Sequence, residues 1–491
     1  MGKKKKNYKD SGVVISKSEE TLLSSLLQKS SALSTTNANE QWKEHLEIRD
    51  LIEKIEKIQA KTDNGKETAR RSDFLVKFNE WLKENEAGSK NVEVFSISDD
   101  DFGVRAINTF QAGEKILNIP RKLILTSEYS SLTFLGSIIA TDRLLQVMPN
   151  VVLAIKLLDE CYKDNSFWKP YIDILPRKFT IPLFFSLEEL SLLKGSQILN
   201  KVLNVYKSIA RQYAYLYQIF KKIPTNNQLN FMKSFTFKQY RWAVSIVMTR
   251  QNQIPNLSGD ELKLALIPFL DMCNHRDGYL TTDYDVNADA CVCYALDSCK
   301  PGDEVFIFYG PRSNADFFVH SGFYYENNKH DLLHIQLGIS SSDPLYVLKT
   351  QLLSKLAINQ KNLAVTTRQY VMTKDLLAFL RIFCITEEES KSLIGENDEK
   401  FHAIFYDETQ RISDENEMKV WDFIQTRCSL LLRMYPTTIE QDDEMLKAFN
   451  LSENITLAIK LRRNEKLLLS QCTVYSKEII KKLSENSNKK S

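Results

Sequence analysis

The run PFLDMCNHRDG at 268–278 places Asp271, Cys273, Asn274 and His275 within five consecutive positions. Three of these residue types ligate metals, and a Cys–His pair can carry out nucleophilic chemistry. Zinc asks for four ligands, usually supplied by paired C-x2–4-C knuckles. Cys291 and Cys293 alternate in the β-rich run ACVCYAL and so share one strand face, but with Cys299 they form no second knuckle. Free cysteines often serve as small apolar residues. His330 and His334 are four apart, yet a strand pattern surrounds His334. No metal site is expected. A thiol–imidazole hydrolase is disfavoured too, because its partners normally come from distant segments and no glycine-rich elbow surrounds Cys273. Neither G-x-G-x-x-G nor a P-loop occurs, which argues against a dinucleotide fold or a P-loop nucleotide site.

The elements that must position these residues follow from patterning. The chain has 491 residues, 43% hydrophobic and 26% charged, enough for two or three domains. Lys+Arg (65) nearly balance Asp+Glu (63), so no global field favours nucleic acid. No apolar run approaches the roughly 18 residues of a membrane span. Eight scattered cysteines fit a reduced, intracellular protein. Residues 1–20 read as a basic, unstructured tail with five lysines among the first nine positions, either a nuclear signal or a solvated arm. Residues 21–89 read as helical, with Leu46, Leu51, Ile52, Ile55 and Ile58 near one stripe. After the break KTDNGKE comes a short helix with Ser72 as N-cap and Gly88 just beyond its end.

From Val92 the pattern turns to short strands, VEVFSI and FGVRAI, followed by a turn at Ala112–Gly113 and the strand KILNIP. A similar unit recurs in CKPGDEVFIFYG, where Pro301–Gly302 suits the centre of a type II turn. The two lie about 190 positions apart, which predicts one β-domain, 90–330, interrupted by a helical insert at about 131–245. Residues 331–485 read as an all-helical domain. The fold class is α+β.

Four segments occur in order: MTRQNQIP (248–255), LDMCNH (270–275), VFIFYG (305–310) and PRSNADFFVHSGFYY (311–325). An Asn–His pair followed some thirty residues later by a strand ending in Phe-Tyr-Gly resembles the SET-domain methyltransferases. The inserted helices and helical tail resemble the Rubisco large-subunit methyltransferase branch. RWAVSIVMTRQNQIP, DMCNH, IFYG-x-RSNA and HSGF resemble, more closely, the actin-histidine N-methyltransferases of that family, over roughly residues 40–480. The resemblance implies a pseudoknotted SET core, S-adenosylmethionine as cofactor, actin as protein partner and transfer of methyl to the tele nitrogen of one actin histidine. A monomer, cytoplasmic and with a nuclear share if the lysine tail is a signal, completes the expectation.

For the cofactor the resemblance implies Arg71, the Asp100–Asp101–Phe102 segment, Arg250, the stretch Asp271, Met272, Cys273, Asn274 and His275, and the stretch Ser321, Gly322 and Phe323. Arg71 and Arg250 suit a carboxylate, which guanidinium can bind bidentately. Asp271 has an equally good structural reading, as a buried carboxylate closing a turn. Phe323 could stack on adenine, whereas Phe317 and Phe318 read as core. Ser313 with Asp316 reads as a helix cap, ended at Gly322.

For the substrate the resemblance implies Asn252, Leu270, Tyr309 and Arg312, with Asn252, Tyr309 and Arg312 catalytic. Asn252 stands where lysine-specific relatives tend to carry an aromatic residue. Its amide can both donate to and accept from a ring. Leu270 stands where the better-known enzyme of this type has Trp, and it would share a strand with Phe269, facing the other way. Asp100–Asp101–Phe102 replaces Glu-Gly-Phe, and Pro311 replaces Thr. Asp101 could tolerate a left-handed backbone if its position requires one. The competing readings are a protein-lysine methyltransferase and a binding module with an idle core.

Overall fold

The computed structural model describes residues 17–35, 37–60, 70–87, 90–224, 227–367, 370–393 and 398–490. The lysine run and Gly88 lie outside these residues. The helices are, in chain order, α1 (Lys17–Ser31), α2 (Ala38–Gln59), α3 (Leu75–Glu84), α4 (Phe134–Thr141), α5 (Arg143–Gln146), α6 (Pro149–Tyr162), α7 (Lys169–Ile174), α8 (Leu187–Ser191), α9 (Ile198–Lys221), α10 (Asn230–Lys233), α11 (Phe237–Arg250), α12 (Asn314–His320), α13 (Tyr346–Lys355), α14 (Lys374–Phe383), α15 (Glu387–Ser392), α16 (Asp398–Tyr406), α17 (Asp414–Leu432), α18 (Ile439–Leu446) and α19 (Glu453–Lys490). The chain divides into two compact units, Met1–Phe179 with Asn200–Gly310 and Thr180–Leu199 with Pro311–Ser491.

In the first unit α1 begins at Lys17, so four residues assigned to the tail are helical. Asn37 caps α2, its side chain accepting from the N–H groups of Asn39 and Glu40. The stripe that α2 buries is Gln41, His45, Ile48, Ile52, Ile55 and Gln59. Leu46, expected inside, is 37% exposed. Polar residues belong to this face because they find partners: Gln59 donates to the Tyr213 hydroxyl at 2.7 Å. Ser72 is not an N-cap. Arg71–Phe74 form a 3-10 turn in which the Asp73 carboxylate accepts from the Arg70 N–H at 3.1 Å, and α3 follows it.

The strands are β1 (Val92–Ser96), β2 (Phe102–Ala106), β3 (Lys115–Pro120), β4 (Leu125–Thr126), β5 (Asn252–Pro255), β6 (Leu262–Leu266), β7 (Asn274–His275), β8 (Thr282–Asp285), β9 (Ala290–Tyr294) and β10 (Glu304–Ile307). One sheet runs β1-β2-β10-β7, a second β3-β9-β8 and a third β4-β6-β5. Strands from before and after the inserted helices therefore pair, β2 with β10 and β3 with β9, both antiparallel. Gly302 has φ +95°, the left-handed value that position i+2 of the expected type II turn requires. β7 pairs parallel with β10, Asn274 opposite Phe306 and His275 opposite Ile307. This pairing brings the Asn–His and Phe-Tyr-Gly motifs side by side. The inserted helices end with α11 at Arg250, five residues past the expected boundary.

The second unit was expected to be helical from residue 331, yet it includes a short antiparallel pair, β11 (Leu332–His334) with β12 (Ala364–Thr366). Its core gathers residues of α14, α16, α17 and α19, among them Phe379, Phe405, Trp421 and Leu469. Arg381 is fully buried there, donating to Glu417 at 3.0 Å and to the carbonyls of Ile404 and Asp407. Among the described residues, no helix is long and apolar enough to cross a membrane.

Candidate active site

Arg250 is the last residue of α11, and Asn252 opens β5 two positions later. The Arg250 Nη1 donates to the backbone carbonyl of Asp271 and lies 3.8 Å from its Oδ2. The Arg250 Nε is buried without a partner. Asp271 sits in a 3-10 turn, Leu270–Met272, entered through Phe269 at φ +76°, ψ −56°. A positive φ at a bulky residue is strained backbone, and here it turns the chain into the site. The Tyr171 hydroxyl donates to the Asp271 Oδ2. Burial raises the pKa of Asp271, while Arg250 and Tyr171 pull it down.

Arg71 approaches from the 3-10 turn before α3. Its Nε donates to the Ile174 carbonyl at 2.8 Å, its Nη1 to the Asp100 carbonyl, and its guanidinium lies over the Phe102 ring at 4.6 Å. Burial, and then the charge of Arg250, push its pKa down to about 10. The two guanidinium groups thus act on each other as like charges. An anion between them would relieve that repulsion and give the orphaned Arg250 Nε a partner, so the pair fits the carboxylate of an amino-acid-bearing cofactor.

Asn274 donates through Nδ2 to the Glu304 Oε1 at 2.8 Å and to the Phe102 carbonyl at 3.3 Å. Gly103 makes room for this: a Cβ there would stand 2.9 Å from the Glu304 Oε1. His275 accepts at Nδ1 from the Tyr309 N–H at 3.2 Å, so the neutral ring carries its proton on Nε2. Tyr309 donates its hydroxyl proton to the Cys273 carbonyl at 2.7 Å. The Asn252 amide is exposed and donates to the Arg250 carbonyl at 3.2 Å.

One expectation is corrected, and one condition does not arise. Leu270 and Phe269 do not lie on a strand with opposed faces, because the turn carries both inward, each 2% exposed. Asp101 does not occupy the left-handed region. It closes an exposed turn, its N–H donating to the Ser98 Oγ at 3.2 Å. The Asp100 side chain pairs with the exposed Lys178 at 2.8 Å, and only its carbonyl reaches Arg71. Met272 is buried, its Sδ 3.8 Å from the Arg250 Nη1.

Arg312, Ser321, Gly322 and Phe323 belong to the second unit. Arg312 is exposed, and its carbonyl accepts from the Asn328 amide at 2.8 Å. Ser313 caps α12, accepting from the Asp316 N–H at 3.1 Å, and Gly322 follows the helix at φ +79°. Phe323 stacks on Phe317 with centroids 4.6 Å apart, while Phe317 and Phe318 are core.

Burial pushes the Cys273 thiol well above its ordinary pKa, and the Cys291 and Cys293 thiols up to about 12. These groups stay protonated and are no nucleophiles. Among the described residues, no three or more His, Cys, Asp or Glu converge to hold a metal ion. The first unit thus gathers Arg71, Phe102, Arg250, Asp271, Asn274, His275 and Tyr309. The sequence reading missed Tyr171, which carries no motif and lies 100 positions from Asp271, and Glu304. A lone carboxylate opening the apolar strand VFIFYG was a usable signal for Glu304.

A SET domain family model matches residues 101–310, and a model described as Rubisco LSMT substrate-binding matches residues 340–469. The solved structure of Rubisco LSMT bound to sinefungin and monomethyllysine superposes with a TM-score of 0.67 at 23% identity, covering 84% of this chain and 94% of that one. The same protein bound to AdoMet gives 0.66 at 23% identity, covering 84% and 93%. The actin-histidine N-methyltransferase of Gallus gallus is 42% identical over 480 residues, 96% of this chain and 80% of the relative. That of Mus musculus is 44% identical over 457 residues, covering 92% and 76%. At that identity and coverage, and with the Asn–His strand laid parallel to the strand that leads into Phe-Tyr-Gly, the chain belongs to the SET-domain actin-histidine N-methyltransferase family.

Proposed function

We infer that the chain transfers a methyl group from S-adenosylmethionine to the tele nitrogen of one histidine of actin. The observation that carries this reading is the 42–44% identity, over 92–96% of the chain, to relatives named for that activity. The structures bound to lysine ligands are 22–23% identical and speak to the fold alone, so they do not favour the protein-lysine alternative.

S-adenosylmethionine supplies a methyl group on a positively charged sulfur. Arg71 and Arg250 would hold its carboxylate, and Asn274, its side chain fixed by Glu304, would offer its amide oxygen to the adenine. Phe102 and the Asp271–His275 turn would line the pocket.

The substrate side has a simpler task with histidine than with lysine. Freeing a lysine amine of its proton at pH 7 costs about 4.6 kcal/mol, whereas imidazole is already mostly neutral. No strong base is needed. What is needed is one tautomer and one ring orientation, held in line with the methyl group. Asn252 spends one amide hydrogen on the Arg250 carbonyl and keeps a donor and an acceptor for the ring. Tyr309 has committed its proton to the Cys273 carbonyl, so its oxygen serves as an acceptor. The substrate nitrogen forms its bond to carbon as the carbon–sulfur bond breaks, and the proton left on the other ring nitrogen then goes to solvent.

The reading implies a monomer at work in the cytoplasm, with a nuclear share resting on the lysines of residues 3–9. The deciding experiment is transfer of label from isotopic S-adenosylmethionine to monomeric actin, located by fragment-ion mass spectrometry. Label on a single histidine, absent when that histidine is replaced and lost in Tyr309→Phe with Asn274→Ala, is the expected result. Label on lysine instead would reject the substrate and keep the reaction class.

A further inference from the structure

The six-residue helix α7 carries none of the recognised motifs, yet it contacts Arg71 directly and the carboxylate beside Arg250. Tyr171 is 0% exposed and donates its hydroxyl to the Asp271 Oδ2. Asp271 is the buried counter-charge of Arg250, whose Nη1 lies 3.8 Å from that same oxygen and donates to the Asp271 carbonyl. Three residues after Tyr171, the Ile174 carbonyl takes the Arg71 Nε at 2.8 Å. Ile174 is the last residue of α7, so this carbonyl has no partner within the helix and is open to a cation. The Tyr171 ring cannot swing away, since it is enclosed and packed against Phe78 at a centroid distance of 6.2 Å.

We propose that Tyr171 is a positioning residue for cofactor binding: by pinning one oxygen of Asp271 it fixes the Arg250 guanidinium, while the C-terminal carbonyl of α7 holds Arg71. The short helix thereby sets the spacing of two cations that would otherwise repel each other. The need for a pin is physical. The other oxygen of Asp271 has no partner, so without the Tyr171 hydroxyl the carboxylate could rotate away from Arg250 and leave its Nη1 held by the Asp271 backbone carbonyl. The inference rests on the reading of Arg71 and Arg250 as the carboxylate site, and it goes beyond that reading by assigning what holds the two arginines in register.

The test is calorimetric binding of two probes to the full chain: S-adenosylhomocysteine, which carries the amino-acid carboxylate, and 5′-methylthioadenosine, which lacks it. Tyr171→Phe keeps the ring and removes the hydroxyl. The expected result is a roughly tenfold weaker Kd for S-adenosylhomocysteine, no change for 5′-methylthioadenosine, and a raised KM for S-adenosylmethionine with kcat retained. Asp271→Asn should reproduce the selective loss, and the double variant should be no worse than the single ones, because the two act as one unit. If Tyr171→Phe does not fold, Asp271→Asn carries the probe comparison alone. Equal weakening of both probes, no weakening of either, or additive losses would overturn the positioning role. Wild-type binding of both probes with equal affinity would instead overturn the carboxylate site itself, and the proposal with it.

Discussion

The cofactor side and the substrate side of the first unit are built on opposite principles, although one helix end supplies both. Arg250 and Asn252 are separated by a single residue. The arginine turns inward to a buried carboxylate backed by a tyrosine hydroxyl, whereas the asparagine stays exposed with one 3.2 Å bond to the backbone. The inward residues are held before any ligand arrives, so their geometry is part of folding. The outward residue is free to answer to the substrate. The comparison teaches that affinity for the cofactor and stability of the fold are coupled here, while choice of substrate is not coupled to either.

The largest effect should come from breaking the inward side. Arg250→Leu would leave Asp271 as a buried carboxylate without its counter-charge, and removal of one partner of such a pair typically costs about 3–5 kcal/mol. Urea denaturation should show that loss, and calorimetry should show S-adenosylhomocysteine binding at least a hundredfold weaker. A stable variant with normal binding would mean that the two properties are not coupled.

The second unit sharpens the comparison by offering a buried carboxyl with no role at the site. Glu465 accepts from the Tyr435 hydroxyl at 3.0 Å, and burial pushes its pKa up to about 7. The folded state therefore binds this proton more tightly than the unfolded chain. Its contribution is fully present below the ordinary glutamate pKa of about 4.5 and is lost as pH rises through about 7, a change on the order of 3 kcal/mol. Glu465→Gln should flatten the stability profile between pH 5 and 8 without moving the cofactor Kd at pH 7. A profile unchanged by the substitution would show that Glu465 does not titrate in that range.

Glu304 tests an intermediate case, since its carboxylate accepts from the Asn274 amide. Glu304→Gln can still accept from the Asn274 amide, whereas Glu304→Ala cannot. The alanine variant should lose about 1–2 kcal/mol of cofactor binding, and the glutamine variant should recover most of it. Equal losses in the two would assign the effect to charge rather than to orientation.

These cases also show what could be read from sequence. Strand β10 and its type II turn were legible because proline, glycine and a β-rich run report local backbone needs, whereas the Asn–His pair was legible through resemblance. Arg71 and Arg250 were legible only through resemblance, since an arginine alone does not say what it faces. Tyr171 and the Ile174 carbonyl were not legible at all, because a tyrosine in a short helix carries no signal for a contact 100 positions away. Leu270 and Phe269 misled for a local reason: an apolar run reads as a strand, and nothing in it announces a bulky residue at positive φ. Leu46 misled because the face α2 buries carries Gln41, His45 and Gln59, whose side chains the pattern of apolar residues ranks as exterior.

The smallest expected effect on the fold, and the sharpest on function, lies at Asn252. The side chain is exposed and makes one hydrogen bond, so Asn252→Phe should change stability by no more than about 0.5 kcal/mol. It should leave cofactor affinity unchanged, because the Arg250 side chain points the other way into its own network. What it removes is an amide able to donate to and accept from an imidazole, and what it adds is an apolar ring that can flank an alkyl chain. A site that hydrogen-bonds its substrate rejects poorly matched groups far more strongly than an apolar one does. Histidine methylation should therefore fall at least tenfold, with lysine in the same peptide position gaining relative to it. The measurement is competition between two actin peptides that differ only at the acceptor residue, read as kcat/KM for each. If Asn252→Phe kept the wild-type ratio, the amide would not be the discriminating group, and discrimination would have to come from elsewhere in the site.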